Sequence, residues 1–375
     1  MRVLHVIDHM GLGGAQSVVK TFFESQKGNK DIILFSLRNV EHAASVEHAN
    51  VRSSSWVSKF SIQPLFELRA LISANEIEIL HCYLPRSQIF GYLIKRFLFP
   101  DIKLIFHEQG DIFEKNILHL LLRLFRNQVD VFIACSRVTK KMLMIRAGIP
   151  AKKVDVLYNC IDLSKFDSGR VAVCRQMGRN RLGISDSDYV VGFAARIIGR
   201  KGWREYLGSA FNFKHNPNIK FLIAGAGNEA AKMKRVITDM GLDEMVIYLG
   251  QVTDMPGFYS ILDLLVVPSH WEPMGITQVE AQAMHIPVIA SNVPGLNEVI
   301  QHNVNGLLFE PGRSDDLTLK IISAMTDKNG RSSWIEQGAR TSQDYSVDLF
   351  IERVNRIYES GFYTCSLGLL HVKSK

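Results

Sequence analysis

Short runs of β-branched and aromatic residues recur along this chain, most of them followed by a longer stretch in which apolar positions return every three or four residues. Arg2–Ile7, Asp31–Ser36, Glu78–Cys82, Lys103–His107, Val129–Ala134 and Val154–Tyr158 read as strands, and Ala15–Glu24, Arg86–Phe97, Lys115–Arg126 and Ser136–Arg146 as helices. Strand and helix in alternation predict a parallel sheet with helices on both faces. Around Asp167–Gly183 the periodicity lapses and charge is mixed, which reads as a linker. A second alternating set then supplies strands at Tyr189–Ala194, Phe221–Ala224, Val246–Leu249, Leu264–Val267 and Val288–Ala290. The expected organisation is two α/β domains, 1–166 and 167–345, followed by a last helix near Val347–Ser360 and a tail within 346–375. Gly361–Lys375 has no assignable role, and its basic end is expected to be disordered.

Composition narrows the class. Of 375 residues 47% are hydrophobic, and no run approaches the ~20 apolar residues of a membrane span. The opening MRVLHVIDHM stops being apolar at Asp8 and His9, too early for a secretion signal, and reads as a first strand. Five cysteines (Cys82, Cys135, Cys160, Cys174, Cys365) stand without CxxC spacing, so reduced thiols in a cytoplasmic protein are expected and a zinc site is not. The +7 net charge is uneven: Arg52 to Arg146 holds 14 Lys/Arg against 8 Asp/Glu, whereas 251–300 holds five acids and no base. A basic first half calls for an anionic partner. Basic motifs interleaved with aromatics are absent, so an anionic membrane surface, on the inner face of the cytoplasmic membrane, is the expected partner and nucleic acid is not. Helix Lys115–Arg126 carries its polar residues (Asn116, His119, Arg123, Arg126) in one stripe. It either buries a wide apolar face in its own domain or lies in a membrane interface.

Candidate chemistry concentrates between Asp263 and Val299. Strand Leu264–Val267 ends at Pro268, a polar turn follows, Gly275 opens a helix, and Glu272 and Glu280 stand with seven residues between them. The Gly275-Ile276-Thr277 helix start would aim backbone N–H groups at a phosphate. Ionised carboxylates only accept hydrogen bonds, so beside a nucleotide sugar they would grip hydroxyls, Glu272 those of the sugar and Glu280 those of the ribose. Earlier in the second half, Arg196 and Lys201 flank a turn that feeds a helix, where both cations could reach a diphosphate; Arg200 between them is expected to be exposed. In the first half, Gly13 and Gly14 make a tight strand-to-helix turn that could also cradle phosphate or sugar. His107 stands at a strand's carboxyl end, where open α/β sheets bind ligands.

This stretch resembles the E-x7-E element of the retaining, family-four glycosyltransferases of GT-B fold, and the likeness extends over nearly the whole chain. Ala195-Arg196 to Lys201-Gly202 resembles the family's G-R-x4-K-G, Val156–Phe166 its interdomain passage, and the last helix the one that crosses back to the first domain. Met274 replaces a usual aromatic, and His285, Ala195 and Cys160 replace usual glycines. The resemblance implies two Rossmann-like parallel-sheet domains facing a cleft, acceptor in the first and nucleotide sugar in the second. It places the glycine pair at the donor phosphates and acceptor, His107 beside the acceptor and donor sugar, and Gly225 against the nucleotide base. It further implies transfer from a nucleoside-diphosphate sugar to a saccharide or lipid-linked acceptor with retention of configuration, in a bacterial surface-polysaccharide or lipopolysaccharide pathway, with no metal and no cofactor.

The residues also admit different functions. Asp186-Ser187-Asp188 matches a metal-binding D-x-D, but it precedes a strand in a polar loop and reads as a solvated turn. Gly225-Ala226-Gly227-Asn228-Glu229-Ala230 reads G-x-G-x-x-A, as in a nicotinamide-dependent oxidoreductase, yet the next strand closes in Leu249-Gly250-Gln251 without the ribose-binding acid. A sugar-nucleotide epimerase of the same fold and a nucleotide-sugar-binding protein without turnover are compatible with the same motifs.

Overall fold

The computed structural model describes residues 1–11, 13–39, 46–54, 61–110, 116–166 and 171–360. Two compact units emerge, one comprising Met1–Tyr158 with the segment from Asp348, the other Asn159–Val347. Leu12, Lys115, the first residues of the expected linker and the tail 361–375 lie outside the described residues.

The first unit is built on seven parallel strands: β1 (Val3–Ile7), β2 (Ile32–Ser36), β3 (Val51–Ser53), β4 (Ile79–Tyr83), β5 (Lys103–Glu108), β6 (Val131–Ala134) and β7 (Val154–Val156). Their order across the sheet is β3-β2-β1-β4-β5-β6-β7. Leu4, Leu80, Leu104, Phe106 and Phe132 form its core, as uninterrupted apolar strands must when helices cover both faces. The edge strand β3 has only three residues, none of them buried, and leaves no hydrophobic run to detect. The terminal helix Val347–Ser360 returns to this unit, packing Phe350 against Phe22 at 5.8 Å between ring centroids.

The second unit carries β8 (Tyr189–Ala194), β9 (Ile219–Ala224), β10 (Val246–Gly250), β11 (Leu264–Val267), β12 (Val288–Ser291) and β13 (Leu307–Phe309), all parallel, in the order β10-β9-β8-β11-β12-β13. The order reverses between β8 and β11, and at such a point the loops leaving the carboxyl ends diverge and open a crevice. In the first unit the reversal falls between β1 and β4.

The expected linker is a correction: Val171–Arg181 is an α-helix of the second unit. Its anchors are arginines. Arg179, 1% exposed, donates from Nε and Nη2 to the Ile261 carbonyl at 3.2 and 3.0 Å and pairs with Asp263 at 2.7 Å, while Arg175 takes the other Asp263 oxygen. A helix seated by guanidinium groups has no apolar stripe, so hydrophobic periodicity cannot find it. Among the described residues no helix is long and apolar enough to cross a membrane.

Candidate active site

In the second unit the loops leaving β8, β9, β11 and β12 share one edge of the sheet. Gly202, with φ +73°, ends the turn after β8, and a Cβ there would lie 1.8 Å from the Pro268 carbonyl oxygen. Only glycine lets the turn after β8 lie this close to the start of the loop after β11. Next to it, Lys201 forms an ion pair with Glu272, whose Oε2 also accepts from the Ser269 hydroxyl at 3.2 Å. Both charged side chains are about seven-eighths buried, at 16% and 11% exposure. The structure therefore joins two predicted residues from opposite sides of the crevice.

The turn carrying Lys201 is braced by Glu229, which accepts from the Gly199 N–H at 2.8 Å, Trp203 Nε1 at 3.0 Å and Arg204 at 3.1 Å. Arg196 is exposed at the start of the turn. Arg200 departs from expectation: it is half-buried, with its guanidinium 4.2 Å from the centre of the Trp271 ring. The His270 N–H donates to the Arg200 carbonyl at 2.8 Å, adding a backbone tie between the two loops.

Glu272 is held in place from below. Gly295, φ +92°, passes so close that a Cβ would sit 2.0 Å from the Glu272 carbonyl oxygen. Gly275 has φ +82° and is followed by Ile276, the cap of a short helix Thr277–Ala283 that begins two residues later than the sequence suggests. Glu280 thus stands in the first turn of that helix. Its Oε2 accepts from the Tyr259 hydroxyl at 2.6 Å, and burial pushes its carboxyl up to about 7, the tyrosine bond only partly opposing that rise. Met274, standing for an aromatic, is 1% exposed, and its sulfur receives the Asn159 N–H at 3.1 Å. His285 holds φ +59° where glycine is usual.

The glycine loop after β9 is explained by backbone contact. A Cβ on Gly225 would lie 1.9 Å from the Ala195 carbonyl oxygen, and one on Gly227 2.2 Å from that of Ile197. Tyr248 donates to the Gly225 carbonyl at 2.8 Å, in the strand where a dinucleotide site would need an acid. The loop packs on the Arg196 turn. Asp188 accepts the Ser185 N–H at 2.9 Å, closing a local turn at the opposite, amino-terminal edge of the sheet, beside a cavity of about 600 Å³ that Asp186, Arg175 and Arg331 help to line.

In the first unit, Gly13 caps helix Gly14–Glu24 at the end of β1, and a Cβ on it would strike the Gln16 side chain at 2.4 Å. His107 is wholly buried at the end of β5, with Nδ1 3.2 Å from His81 Nε2 and Nε2 3.0 Å from Gln109 Nε2. Its place at the strand end matches the sequence reading, but it has no solvent-facing surface. Sequence reasoning missed Tyr259, Glu229 and Gly295. Two had a readable signal: Gly295 in a proline–glycine step after a strand, and Glu229 inside the glycine loop itself.

Known proteins fit this architecture. The family model described as Glycosyltransferase Family 4 matches residues 12–165, and the one described as Glycosyl transferases group 1 matches 175–341. An uncharacterized glycosyltransferase of Methanocaldococcus jannaschii is 23% identical over 331 residues, covering 86% of this chain and 84% of its own. The UDP-Gal:alpha-D-GlcNAc-diphosphoundecaprenol alpha-1,3-galactosyltransferase of Escherichia coli is 24% identical over 280 residues, 71% of each chain. Among solved structures, HepE of Anabaena in complex with UDP and glucose superposes with a TM-score of 0.85 at 21% identity, over 96% of this chain and 100% of HepE. With its two parallel-sheet units matched in turn by these two family models, the chain belongs to the group 1 glycosyltransferases and has the GT-B fold.

Proposed function

We propose that this glycosyltransferase moves a sugar from a nucleoside-diphosphate sugar to a saccharide or lipid-linked acceptor with retention of configuration, in the building of a bacterial surface polysaccharide or lipopolysaccharide. The observation that carries the reading is the buried Lys201–Glu272 pair at the reversal between β8 and β11. The attraction within a desolvated ion pair does little more than repay the cost of taking its charges out of water, so a pair on a ligand-binding edge can be exchanged for a charged ligand. An arriving diphosphate competes with Glu272 for the lysine, and the freed carboxylate then accepts hydroxyl protons from the sugar. Arg196 and the backbone at Gly275, Ile276 and Thr277 add charge and donors for the same phosphates, so no metal is needed in this scheme. Glu280 takes the ribose, and the loop at Gly225 lies against the base. Glu272 aligns the sugar for transfer, and in the first unit Gly13 and Gly14 are assigned to the donor phosphates and the acceptor, and His107 to the acceptor and the donor sugar. The UDP ligand of HepE and the UDP-sugar named for the Escherichia coli relative favour uracil as the base.

The first unit also offers a surface for an anionic membrane. Helix Asn116–Phe125 buries Leu118, Leu122 and Phe125 in its own unit and leaves Ile117, Leu120 and Leu124 66%, 67% and 65% exposed, so it has both a buried apolar face and an outward apolar one. Exposed Arg123 lies on the same helix, and exposed Lys141 and Ile145 on the helix Arg137–Ala147 packed beside it. Apolar side chains next to bases suit an interface of anionic lipid, and such a face brings the enzyme to a lipid-linked acceptor.

The direct test incubates the protein with a panel of radiolabelled nucleotide sugars and a bacterial membrane extract. Label should pass into the lipid or saccharide fraction, and the new bond should keep the donor's anomeric configuration. An isomerised nucleotide sugar with no transfer would identify an epimerase instead.

A further inference from the structure

Three histidines of the first unit are completely buried side by side on β1, β4 and β5: His5, His81 and His107. They form one continuous hydrogen-bonded chain with two tyrosines. His107 Nδ1 is 3.2 Å from His81 Nε2, and His81 Nδ1 is 2.7 Å from the hydroxyl of Tyr358 on the terminal helix. That hydroxyl is 3.4 Å from His5 Nε2, and His5 Nδ1 is 3.0 Å from the Tyr83 hydroxyl. At the other end, the carboxamide nitrogen of half-exposed Gln109 meets His107 Nε2 at 3.0 Å.

The chemistry of these groups ties every proton in the chain to the orientation of the Gln109 amide. Burial holds all three imidazoles far below their ordinary titration range, so each is neutral, with one donor and one acceptor nitrogen. The Gln109 amide nitrogen can only donate, which makes His107 Nε2 an acceptor and places the proton on Nδ1. His107 then donates to His81, His81 donates to Tyr358, Tyr358 to His5, and His5 to Tyr83. Carboxamide orientation and ring tautomers are thereby one linked choice, made in a buried interior where a mismatched donor or acceptor goes unsatisfied.

We infer that Gln109 is the residue at the end of β5 that meets the acceptor, and that His107, His81 and Tyr358 are positioning residues that hold its amide nitrogen inward and its carbonyl oxygen outward as a hydrogen-bond acceptor for a sugar hydroxyl. His107, buried on every side, acts through Gln109. The role given to the acceptor rests on the glycosyltransferase reading; the proton arrangement does not.

Nitrogen-15 histidine spectra of the full-length protein read tautomers directly. In the unaltered protein His107 and His81 should both carry the proton on Nδ1. Gln109→Glu replaces the donor with an acceptor-only carboxylate on a half-exposed side chain, so both rings should switch to the Nε2–H form, the change at His81 being transmitted through His107. An Nε2 proton on His107 in the unaltered protein, or an unchanged His81 in Gln109→Glu, would overturn the linked arrangement. In the membrane-extract assay, Gln109→Met should lower transfer at least tenfold while leaving the dissociation constant of UDP unchanged. Full transfer by Gln109→Met would overturn the acceptor role even if the tautomers behave as described. An absence of transfer by the unaltered protein would instead count against the glycosyltransferase reading, leaving the tautomer result to decide the proton chain.

Discussion

Glu280 shows how a single side chain can couple ligand and proton. A carboxyl pushed up to about 7 is about half neutral at that pH, and a ribose whose hydroxyls donate to both its oxygens favours the ionised form. UDP affinity is therefore expected to weaken as pH falls below about 7, by at most about tenfold per pH unit, and Glu280→Gln should make the profile shallower. Calorimetry of UDP binding between pH 5.5 and 8.5 measures this, and a profile equally steep in both proteins would remove Glu280 from the ribose. The effect on folding has the opposite sense. With its folded-state value raised above the ordinary 4.5, the group's contribution to stability is complete below that value and is lost as pH rises through about 7. The E-x7-E spacing was legible in the sequence, but this titration was not. It comes from burial beside Tyr259, which reaches Glu280 from a helix 21 residues earlier in the chain.

At the level of elements, the sequence is read well where a strand or helix is seated by apolar side chains and poorly where it is seated by polar ones. The strands that form the two sheet centres, from Val3–Ile7 to Val288–Ser291, coincide with the runs expected, because a buried parallel strand must be apolar on both faces. Helix Val171–Arg181 was hidden because its grip on the second unit is Arg175 and Arg179 around Asp263. That grip predicts a stability effect. Arg179→Ala removes two of the three guanidinium bonds to the Ile261 carbonyl, the one from Arg175 Nη1 at 3.4 Å remaining, and leaves Asp263 paired with Arg175 alone; stripping buried acceptors of their donors costs about 1–3 kcal/mol. Urea unfolding monitored by Trp203 and Trp334, both buried in this unit, should show that loss; a change below about 1 kcal/mol would mean the helix is held by something else. The loop glycines divide the same way. Gly202 and Gly225 were visible as turn residues, but only the structure gives the reason for them, backbone oxygens within 2 Å of where a Cβ would be.

For the molecule as a whole, the uneven charge of the sequence and the apolar residues left outside helix Asn116–Phe125 point to one behaviour. Binding to vesicles should increase with anionic lipid and weaken with salt, because charges at the surface are screened beyond about 8 Å at physiological ionic strength. Replacing Leu120 and Leu124 together by Ser should reduce it severalfold without altering UDP affinity, and equal partitioning onto neutral and anionic vesicles would refute the membrane face. The central claim, however, lies in the second unit, where Glu272 and Glu280 are given different parts of one ligand. Titration calorimetry of Glu272→Ala and Glu280→Ala, each against UDP and against the intact nucleotide sugar that supports transfer, separates them. Loss of a charged hydrogen-bond partner costs about 1.5–3 kcal/mol, one to two decades in dissociation constant. Glu280→Ala should weaken both ligands by that amount, whereas Glu272→Ala should bind UDP nearly as the unaltered protein does and bind the intact donor more weakly. Unchanged UDP binding by Glu280→Ala, or unchanged donor binding by Glu272→Ala, would contradict the site proposed here.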